Sequence, residues 1–143
     1  MSIREAQNKA LVHTFADRIN AKNLEDALTL FGPNHVEHAA YPGMPSGVEA
    51  VRAFFSMLFV GFPDAQTTIL DTIAEGDKVV LRATIEGTHT GPFIGIAPTG
   101  RHAKWSFIDI YRIADGKIVE HWVETDQMNL MQQLGLVPPP SGH

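Results

Sequence analysis

The fold is decided between His89 and Trp122, where the sequence reads HTGPFIGIAPTGRHAKWSFIDIYRIADGKIVEHW. This stretch predicts the end of one strand, a loop marked by glycines, a long strand, a tight turn and a second strand. Asp115 and Gly116 separate the two strand-like runs, and this pair tolerates the positive φ angles that a tight hairpin turn requires. We therefore expect an antiparallel hairpin that brings His121 back alongside the long strand.

Side chains of the long strand alternate between two faces. Asp109 is the only charged residue in an otherwise apolar row on one of these faces. Such a carboxylate is either removed from water, so that its pKa is abnormal, or paired with a group from another element. His121 lies on an otherwise apolar face of the next strand. Cross-strand pairing can place it beside Asp109, and the carboxylate would then orient the imidazole. The residues of the row are Trp105, Phe107, Asp109, Tyr111 and Ile113.

The predicted helices lie mainly in the first half of the chain, where apolar residues recur at helical spacing. Each helix is bounded by residues that typically start or stop helices. The expected helices are residues 3–21, a short helix that begins at Leu24 after the Asn23 cap and that Gly32 and Pro33 stop after Phe31, a third helix that Ser46 opens with a Ser-Gly-Val-Glu capping box, and a last helix that begins after Thr125 or Asp126 and ends at Gly135.

Strands dominate the second half of the chain. We expect a short strand over residues 34–41 and long strands over 65–74 and 78–89, in addition to the hairpin. Helices followed by a run of strands indicate an α+β domain. A curved, mixed and mostly antiparallel sheet, with the N-terminal helices packed in its concave face, makes a cone-shaped α+β barrel whose interior is a pocket.

Length and composition describe one globular domain. At 143 residues, 44% hydrophobic and 19% charged, the chain can bury a core and an internal pocket. We expect a single domain over residues 1–137 and a C-terminal tail over 138–143. A net charge of -5 without a Lys/Arg cluster argues against nucleic acid, and no apolar run indicates a signal peptide or a membrane partner. The absence of cysteine fits a reducing compartment, so we expect a cytoplasmic protein.

Several chemistries lack the residues that they require. Seven histidines invite a metal site, but His35 and His38 are the only close pair and no His-Glu-x-x-His spacing occurs, so we expect no metal. The segment from Gly95 to Gly100 lacks the spacing of a dinucleotide-binding loop, and no Gly-Lys-Ser/Thr sequence occurs. No serine lies in a Gly-x-Ser-x-Gly turn.

Three residues are candidates for proton transfer. Asp109 comes first, because an apolar neighbourhood raises the pKa of a carboxyl group toward neutrality, where proton transfer is efficient. The alternative is a structural carboxylate bound by Trp105, Arg82 or a backbone donor. His121 is either the partner of Asp109 or a core histidine. His38 lies in the short strand near the expected mouth of the cone, with a surface histidine as the alternative.

Candidates for substrate binding come from several elements. Aromatic residues either pack against an aromatic ligand or fill the core. Arg82 either binds a substrate carbonyl or carboxylate or forms an outward salt bridge. His89 is expected to hold the following loop, whose apolar residues 93–98 close the cone or join a subunit interface. The full set is Tyr41, Phe55, Leu58, Arg82, Phe93, Trp105, Phe107 and Val123.

Three stretches carry a resemblance to a known family. They are Gly91 to Arg101, the run IDIYRIADGKIVEHW and the closing Gln132-Gln133-Leu134-Gly135. In these stretches the chain resembles the SnoaL-like polyketide cyclases of the nuclear transport factor 2-like superfamily. The resemblance implies a cone-shaped α+β barrel, a homodimer or higher homo-oligomer, and no metal or cofactor. It also implies a small hydrophobic partner, because the characterised cyclases close an aromatic polyketide ester by an aldol reaction with acid/base chemistry.

The chain also departs from this family. The cyclases carry an acid/base aspartate on the last strand, at the position that Val123 occupies when counted back from the Gln-Gln-Leu-Gly segment. A cyclase histidine on the preceding strand falls at Asp109, so the carboxylate is expected on the neighbouring strand. The ketosteroid isomerases, which are similar at superfamily level, place their proton-transferring aspartate at the position of His38.

Three classes of function follow from the sequence. The first is a cofactor-free acid/base enzyme that cyclises or isomerises a hydrophobic, polyketide-like carbonyl compound, with Asp109 and His121 moving or orienting the proton and His38 as an auxiliary. The second is a non-catalytic module that holds a small apolar ligand or forms an oligomer, which Val123 supports. The third is a hydrolase or dehydratase, although the Arg-x-Asp pair typical of the epoxide hydrolases is replaced by Phe107-Ile108-Asp109.

Overall fold

The computed structural model describes residues 1–39 and 41–139, and this part of the chain contains four helices and five strands. The helices are α1 (Ile3–Asn20), α2 (Leu24–Leu28), α3 (Val48–Gly61) and α4 (Gln127–Gln133). The strands are β1 (Phe31–Glu37), β2 (Gln66–Glu75), β3 (Lys78–Thr88), β4 (His102–Ala114) and β5 (Lys117–Thr125).

The five strands form one curved mixed sheet in the order β1-β5-β4-β3-β2. The pairs from β2 to β5 are antiparallel, whereas β1 runs parallel to β5. Asp115 and Gly116 connect β4 to β5 at φ angles of 51° and 72°, as a tight hairpin turn requires. The predicted hairpin and the α+β class are therefore confirmed, with a sheet that stays open at β1 and β2.

The apolar stripe of α1 packs against the concave face of the sheet. Phe15 contacts Phe31, Phe55 and Tyr111 edge-on, with ring centroids 5.2, 5.8 and 6.2 Å apart. A second cluster joins α3, β4 and α4 around Leu58. Burial of these apolar side chains is the main stabilisation of the fold, and it holds the helices inside the curve of the sheet.

The strand and helix boundaries of the second half agree with the sequence pattern. β2 and β3 lie within one residue of the predicted spans at each end. Asp126 caps α4, because its side chain accepts a hydrogen bond from the amide of Asn129 at 3.1 Å. Gly135 follows the helix at a φ of 77°, which glycine adopts without a steric penalty.

The predicted connection between α2 and β1 is wrong. Gly32 and Pro33 do not stop a helix but belong to β1, which begins at Phe31, and α2 has already ended at Leu28. Proline is tolerated there because β1 is an edge strand, where one side of the backbone needs no partner. The predicted strand over residues 34–41 therefore begins and ends too late, and Ala40 lies outside the described residues.

The predicted capping box at Ser46 does not form. Gly47 precedes α3 at a φ of 66°, and no side chain caps this helix. A capping box is present instead at α1, where the side chains of Ser2 and Glu5 bond each other's backbone amides. The domain span 1–137 stays a prediction, and residues 140–143 of the predicted tail lie outside the described residues.

Candidate active site

A cavity opens between α1, α3 and the concave face of the sheet. It holds about 140 Å³ of space that the centre of a water molecule can reach. Its wall is mainly apolar, as in most pockets for small organic ligands. Seven of the predicted substrate-binding residues lie in this wall, namely Tyr41, Phe55, Leu58, Phe93, Trp105, Phe107 and Val123.

Asp109 and His121 form a hydrogen-bonded pair in the wall of this cavity. Asp109 lies on β4 and is only 4% exposed, and its Oδ1 accepts a hydrogen bond from Nε2 of His121 at 2.7 Å. The hydroxyl of Tyr111 donates to the other oxygen, Oδ2, at 3.0 Å. The Tyr111 ring also stacks on the imidazole, with centroids 4.7 Å apart. The Asp109 carboxylate is therefore bound by two side chains and fixed in orientation.

Glu37 contacts the opposite side of the His121 ring. Its Oε2 accepts a hydrogen bond from Nδ1 of His121 at 2.6 Å, and its Oε1 accepts one from Nε2 of His35 at 2.9 Å. The amide of Ala39 donates to Oε2 at 3.3 Å. The parallel pairing of β1 with β5 sets this contact, because Glu37 and His121 are partners in the register. The site is thus a hydrogen-bonded network of five polar side chains, two of them carboxylates.

The hydrogen bonds and the burial of the site determine the charge states of His121, Glu37 and Tyr111. Burial opposes a charge on the imidazole, but the bonds to Asp109 and Glu37 outweigh burial and raise the pKa of His121 to about 10. Burial likewise raises the pKa of Glu37, yet the bonds from His121 and His35 reverse this and lower it to about 2. Burial and the charge of Asp109 raise the pKa of Tyr111 well above 10. At neutral pH His121 is an imidazolium and Tyr111 a neutral phenol.

Two predicted site residues do not reach the cavity. His38 points to the outer face of the sheet, where Nε2 bonds Glu120 at 2.7 Å and the ring stacks on Trp122. The alternation of β1 explains the error, because it turns Glu37 inward and its neighbour outward. Arg82 is half exposed and bonds Asp71 on β2 at 2.6 Å, so the alternative of an outward salt bridge is the one that the structure shows.

Glu37 and His35 are functional candidates that the sequence pattern did not indicate. In β1 they share the inward face with Phe31, which is 8% exposed. The large apolar side chain of Phe31 was the available signal for the orientation of this strand. It was lost because the sequence pattern assigned Phe31 to the preceding helix.

His89 holds the loop that closes one end of the cavity. Its Nδ1 accepts a hydrogen bond from the amide of Thr99 at 3.2 Å, and its backbone bonds Gly100 and Arg101. The loop places Phe93 in the cavity wall. The predicted structural role of His89 is therefore confirmed. Closure by the apolar segment agrees with the structure, whereas a subunit interface there stays a prediction.

Val123 lies directly across from Asp109 in the β4–β5 register. It also lines the cavity. The position at which the family resemblance leads us to expect an aspartate therefore faces the same space as Asp109 does. Because the two positions are neighbours on adjacent strands, a carboxylate at either one reaches a ligand in this cavity.

The fold and the cavity define an α+β domain whose curved sheet and helices enclose a mainly apolar pocket. A family model described as SnoaL-like polyketide cyclase matches residues 9–134. The chain belongs to this family, within the nuclear transport factor 2-like fold. None of the described helices combines the length and the apolar character that crossing a membrane would require.

Individual relatives are similar over most of their length. Aklanonic acid methyl ester cyclase DnrD from Streptomyces peucetius is 27% identical over 136 residues, which cover 92% of this chain and 94% of that cyclase. The crystal structure of AclR from Streptomyces galilaeus, described as a candidate hydroxylase, has a TM-score of 0.84 at 31% identity and covers 96% of this chain and 87% of its own. TsrD from Streptomyces laurentii has a TM-score of 0.84 at 31% identity, with 92% and 97% covered.

Proposed function

We propose that the protein is a cofactor-free acid/base enzyme that cyclises or isomerises a small hydrophobic carbonyl compound of the polyketide class. The observation that carries the proposal is the Asp109 carboxylate, which lies in a mainly apolar cavity and is bound by His121 and Tyr111. Removing a charge from water is costly, and a well-packed apolar side chain at such a position is often at least as stabilising. A carboxylate at such a position is therefore a candidate for chemistry.

In the proposed reaction Asp109 removes a proton from a carbon next to a carbonyl group. The enolate attacks a second carbonyl carbon, and the new alkoxide takes the proton back from the Asp109 carboxylic acid. One proton leaves carbon and one reaches oxygen, so the product has the composition of the substrate. In an isomerisation the proton returns to a different carbon instead.

His121 and Tyr111 orient the carboxylate rather than contact the substrate. Both ring nitrogens of His121 are engaged, and the Tyr111 hydroxyl is donated to Asp109. After proton removal, the neutral carboxylic acid of Asp109 is a hydrogen-bond donor beside the enolate oxygen. One such bond in a site that excludes water stabilises the developing charge by about 3 kcal/mol.

A non-catalytic binding module is the second candidate, and one observation favours it. The family resemblance leads us to expect an aspartate at position 123, and Val123 gives the cavity an apolar side chain there. In such a module, replacing Asp109 would change the ligand affinity, and there would be no catalytic rate to lose. The two candidates therefore differ in a measurable rate.

The test uses aklanonic acid methyl ester, the compound that names the cyclase relatives. Cyclisation gives an isomer of unchanged mass that chromatography separates. We expect turnover by the wild type, a loss of about 10²- to 10⁴-fold in Asp109→Asn, and no loss in the control Asp71→Asn on the outer face. An Asp109→Asn rate within about threefold of the wild type would exclude the proposed role.

A second assay measures the first step by itself. Exchange of the acidic C–H of aromatic β-keto esters in D₂O, followed by NMR, requires proton removal but no ring closure. We expect the wild type to accelerate exchange and Asp109→Asn to lose the acceleration. Ligand binding without accelerated exchange or turnover would favour the binding module.

A further inference from the structure

His121 donates a hydrogen bond from each ring nitrogen. Nε2 faces Asp109 at 2.7 Å and Nδ1 faces Glu37 at 2.6 Å. Ionised carboxylates only accept hydrogen bonds, so each of the two contacts requires a proton on the ring nitrogen that makes it. A neutral imidazole carries one N–H and would leave one of these buried carboxylates facing a lone pair. The geometry therefore selects the doubly protonated ring.

The groups around the ring come from the two strands that flank β5. β1 contributes Glu37 and His35, and β4 contributes Asp109 and Tyr111. The residues of α1 and α3 that line the cavity are all apolar in the described part of the chain. The charge state of His121 is consequently decided by these strand residues.

The Glu37 carboxylate is held in place by several hydrogen-bond donors. Three donors bind its carboxylate, namely His121, His35 and the amide of Ala39. Its side chain is 6% exposed. Because the donors fix the carboxylate, Glu37 can fix the imidazole in turn, as the outer carboxylate does in carboxylate–histidine pairs of other sites.

We infer that Glu37 is a positioning residue that keeps His121 doubly protonated and its Nε2–H directed at Asp109, so that Asp109 alone exchanges a proton with the substrate. The kinetic part of this inference rests on the proposed function, whereas the protonation part does not. A neutral ring could choose between two tautomers and only one of them would bind Asp109, so the base would lose its fixed orientation.

The protonation part is tested by ¹⁵N NMR of the histidine ring nitrogens between pH 5 and pH 10, without substrate. In the wild type we expect both nitrogens of His121 to remain protonated to about pH 9. In Glu37→Gln one carboxylate is removed, and the titration midpoint should fall by about 2 pH units. A midpoint within about half a pH unit of the wild type would overturn the inference.

Glu120 provides a matched control on the same strand. It is the neighbour of His121 and also accepts a hydrogen bond from a histidine, His38, but on the outer face of the sheet. Glu120→Gln should leave the His121 midpoint unchanged. Glu37→Asp is the second variant, because it keeps the charge and should give a midpoint between those of the wild type and Glu37→Gln. If Glu37→Gln fails to fold, Glu37→Asp decides instead, because its shorter side chain withdraws the carboxylate from Nδ1 and should lower the midpoint. An unchanged midpoint would then show that the contact of Glu37 with Nδ1 does not hold the proton on the ring, and would overturn the inference.

The kinetic part is read from the pH dependence of the deuterium-exchange rate. The wild-type rate should show no alkaline decline up to about pH 9, whereas Glu37→Gln should decline about tenfold above the midpoint that NMR gives for it. A merely structural role would lower the rate equally at all pH values. The NMR midpoint decides the role of Glu37, and the comparison with Asp109→Asn decides the proposed function, so the two can fail separately.

Discussion

Raising the pH from 7 to 9 should destabilise the folded protein through His121. Burial opposes its charge, but the bonds to Asp109 and Glu37 outweigh burial, so its pKa is about 10 in the folded chain against 6.5 for an unperturbed histidine. Between these values the folded chain binds one more proton than the unfolded chain. The free energy of unfolding therefore falls by about 1.4 kcal/mol per pH unit. This stabilisation, about 5 kcal/mol, is complete below pH 6.5 and lost as the pH passes 10.

The chosen pH window separates His121 from the other perturbed groups. The low pKa of Glu37 affects stability only below pH 4.5, where its stabilising contribution is lost as the pH falls toward 2. Burial lowers the pKa of His89, and this shift changes the free energy of unfolding only below pH 6.5. Burial also lowers the pKa of Lys22 from 10.5. At the alkaline end of the window this shift makes the free energy of unfolding rise with pH, which is opposite to the effect of His121. The effect is therefore measured as a difference from a variant that lacks His121.

Urea unfolding followed by circular dichroism at pH 7, 8 and 9 measures this difference. The wild type should lose about 3 kcal/mol across the window, whereas His121→Gln should lose almost nothing. The control His102→Gln removes a half-exposed histidine bound to Glu86 and should follow the wild type. A wild-type slope no steeper than that of His121→Gln would refute the inference that an imidazolium lies between two ionised carboxylates.

Three further predictions concern packing, charge and ligand choice. Gly91→Ala places a Cβ 2.1 Å from the carbonyl oxygen of Val60 and should cost about 3 kcal/mol in urea unfolding, whereas Gly95→Ala, with open space but a φ of 77°, should cost about 1 kcal/mol. Val123→Asp adds a carboxylate opposite Asp109, so one of the two should take up a proton, and the melting temperature of the variant should fall more between pH 5 and pH 8 than that of the wild type; an equal fall would contradict this. Because no Lys or Arg lines the cavity in the described part of the chain, the free acid of an aromatic ester ligand should bind about tenfold more weakly than the ester in a fluorescence titration, and equal affinities would argue against two ionised carboxylates there.

The two halves of the chain were not equally predictable. Long alternating runs and the Asp115-Gly116 turn define β4 and β5, because pleated strands with one buried face leave a period of two in the sequence. The start of β1 was mispredicted, since Phe31 can belong to a helix end or to a strand by its local pattern alone. Ser46 failed as a cap because the backbone of Gly47, not a side-chain signal, decides where α3 begins.

The sequence by itself determined the α+β class and the hairpin, because these follow from local alternation and from a turn that connects adjacent strands. The hairpin also made a contact between Asp109 and His121 one of two alternatives, and the structure shows that contact. Only the tertiary structure decided that Glu37 completes the site and that His38 and Arg82 do not. Glu37 and His121 are 84 residues apart, and their contact depends on a parallel pairing of β1 with β5 that no local pattern encodes. A shift of one residue in that edge strand exchanges the inward and outward side chains, so the orientation of β1 is settled only when the whole sheet packs against the helices.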